Sequence, residues 1–251
     1  MQHLLTDERF QRARLRVLTD TEEHAGIGML SEKTLHRMLK FTVAPDESCH
    51  EVKVLGRVAD VLTDGGIVEI QTRSLHRLRP KLETFLPAYK TAVLYPLPHE
   101  KQLRWIDPKT GEISPARRSP KICTPIDAVC ELYSLSDLLL HEGLTVYLVF
   151  LDVEEYRYLD GWDKERKRGS TRAERMANRL HSALRLGCAA DYRAALLPDA
   201  LPAAFTVKEY ARAVKTKPRW AYAAIRMLIS MGILAHTDTR GREFVYSPCE
   251  P

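Results

Sequence analysis

A chain of 251 residues, 45% apolar and 28% charged, has the composition of a soluble globular protein with one large or two ordinary domains. No apolar run approaches the roughly 18 residues of a membrane span, and the polar start MQHLLTDERFQRARLRVL lacks a signal peptide's apolar core. Five scattered cysteines without a C-x-x-C pair point to a reducing cytoplasm and no structural zinc.

The net charge of +5 is unevenly spread. Residues 1–163 hold 21 Lys/Arg against 25 Asp/Glu, whereas residues 164–251 hold 17 against 8. An acidic part joined to a basic one is expected to meet an anion through the basic part, most simply nucleic acid.

In chain order, Thr6 is placed to cap a helix reaching Leu18, and Ser31 to cap a second through Phe41 with Leu35, Met38 and Leu39 as its apolar stripe. Residues 45–48 read as a loop and HEVKVL (50–55) as a strand. RVADVLTDGGIVEIQTRS (57–74) then gives two short apolar strands around a glycine turn. Arg79-Pro80 opens a helix that Pro87 ends, and TAVLYPL (91–97) is a buried strand. Residues 99–125 read as an irregular insertion or small hairpin, 126–140 as a helix, and LTVYLVFLDV (144–153) as the strongest strand. Helices alternating with these strands predict an α/β (α+β) core, a mixed sheet flanked by helices, over residues 1–155.

Residues 156–198 form a basic arm and connecting helix. The arm has aromatic residues ahead of Lys164, Arg166, Lys167 and Arg168; the helix, from Thr171, sets Arg172, Arg175 and Arg179 on one face. LLPDALPAA then marks a boundary, and residues 199–251 form a small unit. In that unit Thr206 and Thr216 cap two helices, Gly232 ends the second, and two strands flank a turn at Thr239–Arg242.

The hairpin carries three polar residues where apolar ones are expected: Asp60, Glu69 and Gln71. A turn on Gly65-Gly66 sets Asp60 opposite Gln71; a turn on Asp64-Gly65 sets it opposite Glu69. With a two-residue turn, either register puts all three on one face. Val58, Leu62 and Ile67 share that face, which makes it too apolar for a simply solvated surface. Two carboxylates converging there repel each other and lose solvation unless a cation sits between them, and a hard, oxygen-seeking ion such as Mg²⁺ suits. His36, His50 and His76 show no ligand spacing and read as ordinary polar residues; Asp152, Glu154 and Glu155 read as surface partners of nearby arginines.

An acid on one strand of a hairpin with E-x-Q on the next, between a helix and a helix–strand unit, resembles the PD-(D/E)xK nuclease superfamily over residues 30–97. Within it, Arg57-Val-Ala-Asp60 and Glu69-Ile-Gln71-Thr-Arg-Ser74 are most similar to the CoiA-like competence nucleases. The resemblance implies a restriction-endonuclease-like sheet and a Mg²⁺-dependent DNA endonuclease, with Mn²⁺ able to substitute. It implies Asp60, Glu69 and the Ile70 carbonyl as metal ligands, and Gln71 and Glu32 as further catalytic residues. Glutamine can only hydrogen-bond where lysine, the commonest residue at that position, also brings charge; Arg57 or Arg73 are the expected replacements for that charge.

The C-terminal unit resembles a winged helix-turn-helix. That resemblance implies DNA contacts by Lys215, Lys217, Arg219, Trp220 and Tyr222 on the second helix and by Arg240 and Arg242 on the wing. The expected partners are DNA and, as one arrangement, a second copy in a homodimer, with no membrane. Two other classes stay open: a non-catalytic DNA-binding regulator with a degenerate nuclease-like domain, and a protein-interaction adaptor.

Overall fold

The computed structural model describes residues 2–22, 32–160 and 171–249. Thr6 accepts the Arg9 N–H at the start of α1 (Asp7–Glu22). α2 (Glu32–Val43) follows, with Met38 and Leu39 fully buried. A single 3-10 turn leads into β1 (His50–Val54), and Leu55 and Gly56, both at positive φ, turn the chain into β2 (Arg57–Thr63). β3 (Gly66–Ile70) completes the hairpin.

Val61 lies opposite Val68, Leu62 opposite Ile67 and Thr63 opposite Gly66, so the turn is Asp64-Gly65. The choice of register is tertiary. Gly66 has φ +115°, and a Cβ there would fall 2.1 Å from the Lys90 carbonyl oxygen. That carbonyl accepts the Ile67 N–H at 2.9 Å, which starts the parallel pairing with the next strand. Glycine's missing side chain therefore sets where the sheet begins.

α3 (Arg79–Phe85) carries Pro80 in its first turn and buries Leu82 and Phe85. β4 (Thr91–Ile106) is sixteen residues long, far longer than the expected 91–97. It runs through Pro96 and Pro98 into the segment read as an irregular insertion, and β5 (Arg117–Arg118) pairs back onto Gln102 and Leu103. Leu94 turns its carbonyl to the Gln71 N–H at 3.0 Å on the β3 side. By alternation, Pro96 and Pro98 present their missing donors along the same edge, where β3 has ended, so no ladder bond is lost.

Residues 126–140 form no continuous helix. They break into a 3-10 turn at Pro125–Ala128, α4 (Val129–Leu132) and a second 3-10 turn at Tyr133–Leu135. β6 (Leu144–Tyr158) is the expected strongest strand.

The largest correction concerns the helix expected from Thr171: the segment is β7 (Thr171–Leu186), antiparallel to β6. Its Ala, Arg, Leu and Met content favours a helix, but β6 needs a partner along its whole length. Pairing there buries Ala177, Leu180 and Leu186, so tertiary context overrides local preference. Arg172 and Arg175 therefore do not share a helix face. Arg172 stands opposite Arg157, and Arg175 opposite Glu155.

The sheet of the described residues has seven strands in the order β1-β2-β3-β4-β6-β7, with β5 beside β4. β3, β4 and β6 run parallel, and the other pairings are antiparallel. The expected mixed sheet flanked by helices is thus present. Phe10, Val17, Met38 and Leu39 of α1 and α2 cover one face, against Val61, Val68, Leu94 and Val149. Leu78, Leu82, Val129 and Leu132 cover the other, against Val93, Val146 and Leu148.

After α5 (Ala189–Leu196), the chain forms β8 (Phe205–Thr206), α6 (Val207–Ala213), α7 (Pro218–Ser230), β9 (Leu234–Arg240) and β10 (Glu243–Pro248). The three strands form a second sheet in the order β8-β10-β9. Thr206 and Glu209 make the reciprocal capping bonds of α6. The cap of α7 is Lys217 rather than Thr216, with Pro218 at the first helical position. Tyr192, Phe205, Tyr210, Ile225 and Leu228 join the same apolar cluster as Leu82 and Leu132, so this unit shares a core with the large sheet.

The Tyr210 hydroxyl donates to the Leu196 carbonyl at 2.9 Å in that core. Tyr210→Phe strands a buried acceptor and is expected to cost about 1–2 kcal/mol, read as a lower urea midpoint at an unchanged denaturant slope.

Candidate functional site

The β2–β3 ladder stops at Val61 and Val68, and the next residues along it are Asp60 and Glu69. Their side chains take over from the backbone. The Asp60 N–H donates to Glu69 Oε1 at 3.3 Å, and the Ile70 N–H donates to Asp60 Oδ2 at 2.8 Å. The strands open at this point, and the opening is filled by two carboxylates instead of two amides. Glu69 is 1% exposed and Asp60 16%.

Two further side chains complete the cluster. Lys81, in the first turn of α3, donates from Nζ to Glu69 Oε2 at 2.7 Å and lies 3.8 Å from Asp60 Oδ1. His36 Nε2, on α2, sits 3.1 Å from Asp60 Oδ2. The cation required between the carboxylates is thus present in the chain itself, as an ammonium. Sequence reasoning missed it, looking for the replacement charge at Arg57 or Arg73. Arg57 instead donates to the Thr84 hydroxyl at 3.4 Å, and the Gln71 amide donates to the Arg73 carbonyl. The available signal was the Arg-Pro-Lys sequence: proline fixes the start of α3, which brings the third residue back over the hairpin. His36, an ordinary polar residue by its spacing, is in the structure a partner of Asp60.

The electrostatics separate the two acids. Burial pushes Asp60 up, but the hydrogen bond and charge of His36, the Ile70 N–H and the Lys81 charge together hold it below the ordinary aspartate value. Burial and then the Asp60 charge push Glu69 up to about 7, against the opposing pull of Lys81. Two carboxylates in one opening with divergent proton affinities form an environment that stores unfavourable charge, as functional sites commonly do.

Asp60 and Glu69 are hard oxygen donors of the kind that Mg²⁺ takes. Lys81 is 28% exposed on a flexible stem and can yield its place between them. The residues therefore fit such an ion. Ile70 reaches the cluster through its N–H. Glu32 opens α2, but its side chain lies outside the described residues.

Of the expected nucleic-acid contacts, Lys164, Arg166, Lys167 and Arg168 lie outside the described residues, as does the side chain of Arg172. Arg175 is bound to Glu155, which is fully buried and also meets Arg157 and Lys101. Burial alone would raise Glu155, but Arg175, Lys101 and Arg157 hold it down to about 2. Glu155 is thus a buried anchor of the β6–β7 pair rather than a surface acid. At the start of α7, Lys215, Lys217 and Arg219 are exposed, and the Arg219 guanidinium lies 4.7 Å from the Trp220 ring centre. Tyr222 is also exposed on this helix. Arg240 is tied to Glu209 and to the Ala204 carbonyl, while Arg242 is exposed on the β9–β10 turn.

These features define an α/β protein whose central hairpin holds an acid pair bridged by a lysine. Residues 33–187 match the family described as a domain of unknown function, DUF8091, and the chain belongs to that family. The matched region contains the hairpin, Lys81 and every strand of the large sheet, and ends before the C-terminal unit. The chain is also 36% identical over 129 residues to an uncharacterized protein of Treponema pallidum (strain Nichols). That match covers 51% of this chain and 51% of the relative, so the chain spans about half the length of the curated protein it matches. No solved structure matches. None of the described helices is long and apolar enough to cross a membrane.

Proposed function

We propose that the protein is a Mg²⁺-dependent DNA endonuclease of the PD-(D/E)xK type, with Asp60, Glu69 and Lys81 as its reaction centre. The observation that carries this reading is the paired carboxylates in the opened hairpin with a lysine ammonium beside both. Bound Mg²⁺ supplies a Lewis acid that activates water and offsets charge on the scissile phosphate. The chain holds the ligands in place: His36 and the Ile70 N–H fix Asp60, and the Asp60 N–H fixes Glu69. Lys81 offers the mobile positive charge that Gln71 does not, available to a phosphate oxygen or the attacking water. Free cysteines throughout fit a cytoplasmic setting.

The test is cleavage of plasmid and single-stranded DNA with Mg²⁺ or Mn²⁺ against an EDTA control. Cleavage only with metal is expected, and binding without cleavage in every metal would overturn the reading. That opposite outcome belongs to a second reading, a non-catalytic DNA-binding regulator, which the Gln71 amide's commitment to the Arg73 carbonyl favours.

DNA is held, on either reading, by the winged-helix-like C-terminal unit. Its exposed Lys215, Lys217 and Arg219 at the start of α7 and Arg242 on the turn support this. Lys217→Ala and Arg219→Ala are each expected to weaken binding several-fold and to lower the slope of log affinity against log salt by about 0.9. Fluorescence anisotropy across a salt series measures both.

A further inference from the structure

Outside the hairpin, three side chains with metal-ligating atoms meet on the long strands: His99 of β4, Asp152 of β6 and His181 of β7. One donor atom from each lies within 4.8 Å of the other two. The His99 and His181 rings stack with centroids 3.5 Å apart and planes 11° from parallel. His99 Nδ1 is 2.9 Å from Asp152 Oδ1.

The backbone is arranged to make this meeting happen. On β4, Pro98 pairs with Leu151 and Lys101 with Val153, so His99 and Glu100 stand together opposite the single residue Asp152. On β7, Ser182 pairs with Phe150 and Leu180 with Leu151, so His181 is the extra residue of a second bulge. Bulges re-aim side chains, and they concentrate next to functional sites. Here two of them, on the strands either side of β6, bring an imidazole each toward one carboxylate.

A purely structural account covers only part of this. Asp152 Oδ1 also accepts the Glu100 N–H freed by the first bulge, at 3.2 Å, which explains why an acid stands there. It does not explain an exposed second imidazole lying flat on the first.

We propose that His99, Asp152 and His181 form a binding site for a divalent transition-metal ion of the Zn²⁺ class. Two imidazoles and a carboxylate are the donor set such ions prefer, and three protein ligands leave a position for water. Metal–ligand bonds of about 2.0–2.2 Å put neighbouring donors about 3.3–3.6 Å apart. The donors therefore close by about an ångström, and the two stacked rings turn until each in-plane nitrogen lone pair faces the ion, a movement that the exposure of His181 and the partial exposure of His99 permit. The ion ties β4, β6 and β7 together beyond the point where β3 ends. It is chemically distinct from the all-oxygen hairpin site. Cysteine spacing gave no sign of it because no cysteine takes part.

The test uses the full chain without a polyhistidine tag, titrated with Zn²⁺ by calorimetry and with Co²⁺ as a spectroscopic probe. With Mg²⁺ in large excess to occupy the hairpin carboxylates, one Zn²⁺ per chain is expected, with Co²⁺ absorption bands that Zn²⁺ displaces. Asp152→Asn and His181→Ala should each weaken binding by about 100-fold or more. His181 is exposed, so its removal leaves the fold intact by circular dichroism, and Asp152→Asn preserves shape. Asp60→Asn should leave Zn²⁺ binding unchanged. No Zn²⁺ bound by the wild-type chain, binding unchanged in both strand variants, or binding lost in Asp60→Asn would each overturn the proposal.

Discussion

Lys81→Ala is expected to lower metal-dependent DNA cleavage by at least about 100-fold, and Asp60→Ala by about 1000-fold, with DNA affinity changed less than about threefold. The two losses have different origins. Asp60 is fixed from three directions, by His36, by the Ile70 N–H and by its own strand, so its removal takes away a preoriented carboxylate. Lys81 is joined to Glu69 at 2.7 Å and stays partly exposed, so its removal takes away a positive charge that can follow the phosphate. Initial rates of plasmid nicking over a Mg²⁺ series separate the two: Asp60→Ala shifts the metal dependence, whereas Lys81→Ala lowers the rate at saturating metal. Lysine at position 71 would approach the same carboxylates from β3. Gln71→Lys in the Lys81→Ala background should therefore recover part of the activity, while Gln71→Ala alone should cost little. Full activity in Lys81→Ala would remove Lys81 from the reaction centre.

Sequence alone resolved the hairpin but not its setting. Alternation put Asp60 and Glu69 on one face in either register, because a two-residue turn conserves parity. The choice between registers rested on a contact between Gly66 and the Lys90 carbonyl, twenty-four residues apart, which local pattern does not encode. Lys81 was invisible for the same reason: its role arises from where α3 lands, not from spacing to the acids. The helix expected from Thr171 gives way to β7 because helix propensity is a property of a segment, whereas the strand is imposed by β6. The bulge at His181 depends on that pairing and the bulge at His99 on the pairing of β4 with β6, so two histidines and an aspartate drawn from three strands leave no local signature. The helices and hairpin of the C-terminal unit were legible because their signals are local: the Thr206–Glu209 cap, Pro218 at the start of α7 and Gly232 at its end.

Glu69→Gln is expected to stabilise the metal-free protein at pH 8 by on the order of 1–3 kcal/mol while abolishing cleavage. The sign follows from an acid whose proton affinity is raised by folding. Below the usual glutamate value of 4.5 the side chain is protonated in both states, and its charge costs the fold nothing. Between 4.5 and about 7 the unfolded chain ionises first, so stability is lost as pH rises; above about 7 the loss is complete and constant. Glutamine keeps an oxygen to accept the Asp60 N–H and removes the buried charge. The ammonium of Lys81 retains Asp60 at 3.8 Å and its own exposure to water. Urea unfolding of both proteins in EDTA at pH 4.5, 6 and 8 measures the difference, in which all other titrating groups cancel to first order. The variant's advantage should grow from near zero at pH 4.5 to its full value by pH 8. Saturating Mg²⁺ should then reverse the ranking at pH 8, because an ion that binds only the folded wild type stabilises it by mass action. A variant less stable than the wild type at pH 8 in EDTA would mean that the Lys81–Glu69 pair outweighs the desolvation of the carboxylate. Glu69 would then be a structural anchor held in its charged form rather than a strained acid awaiting a metal.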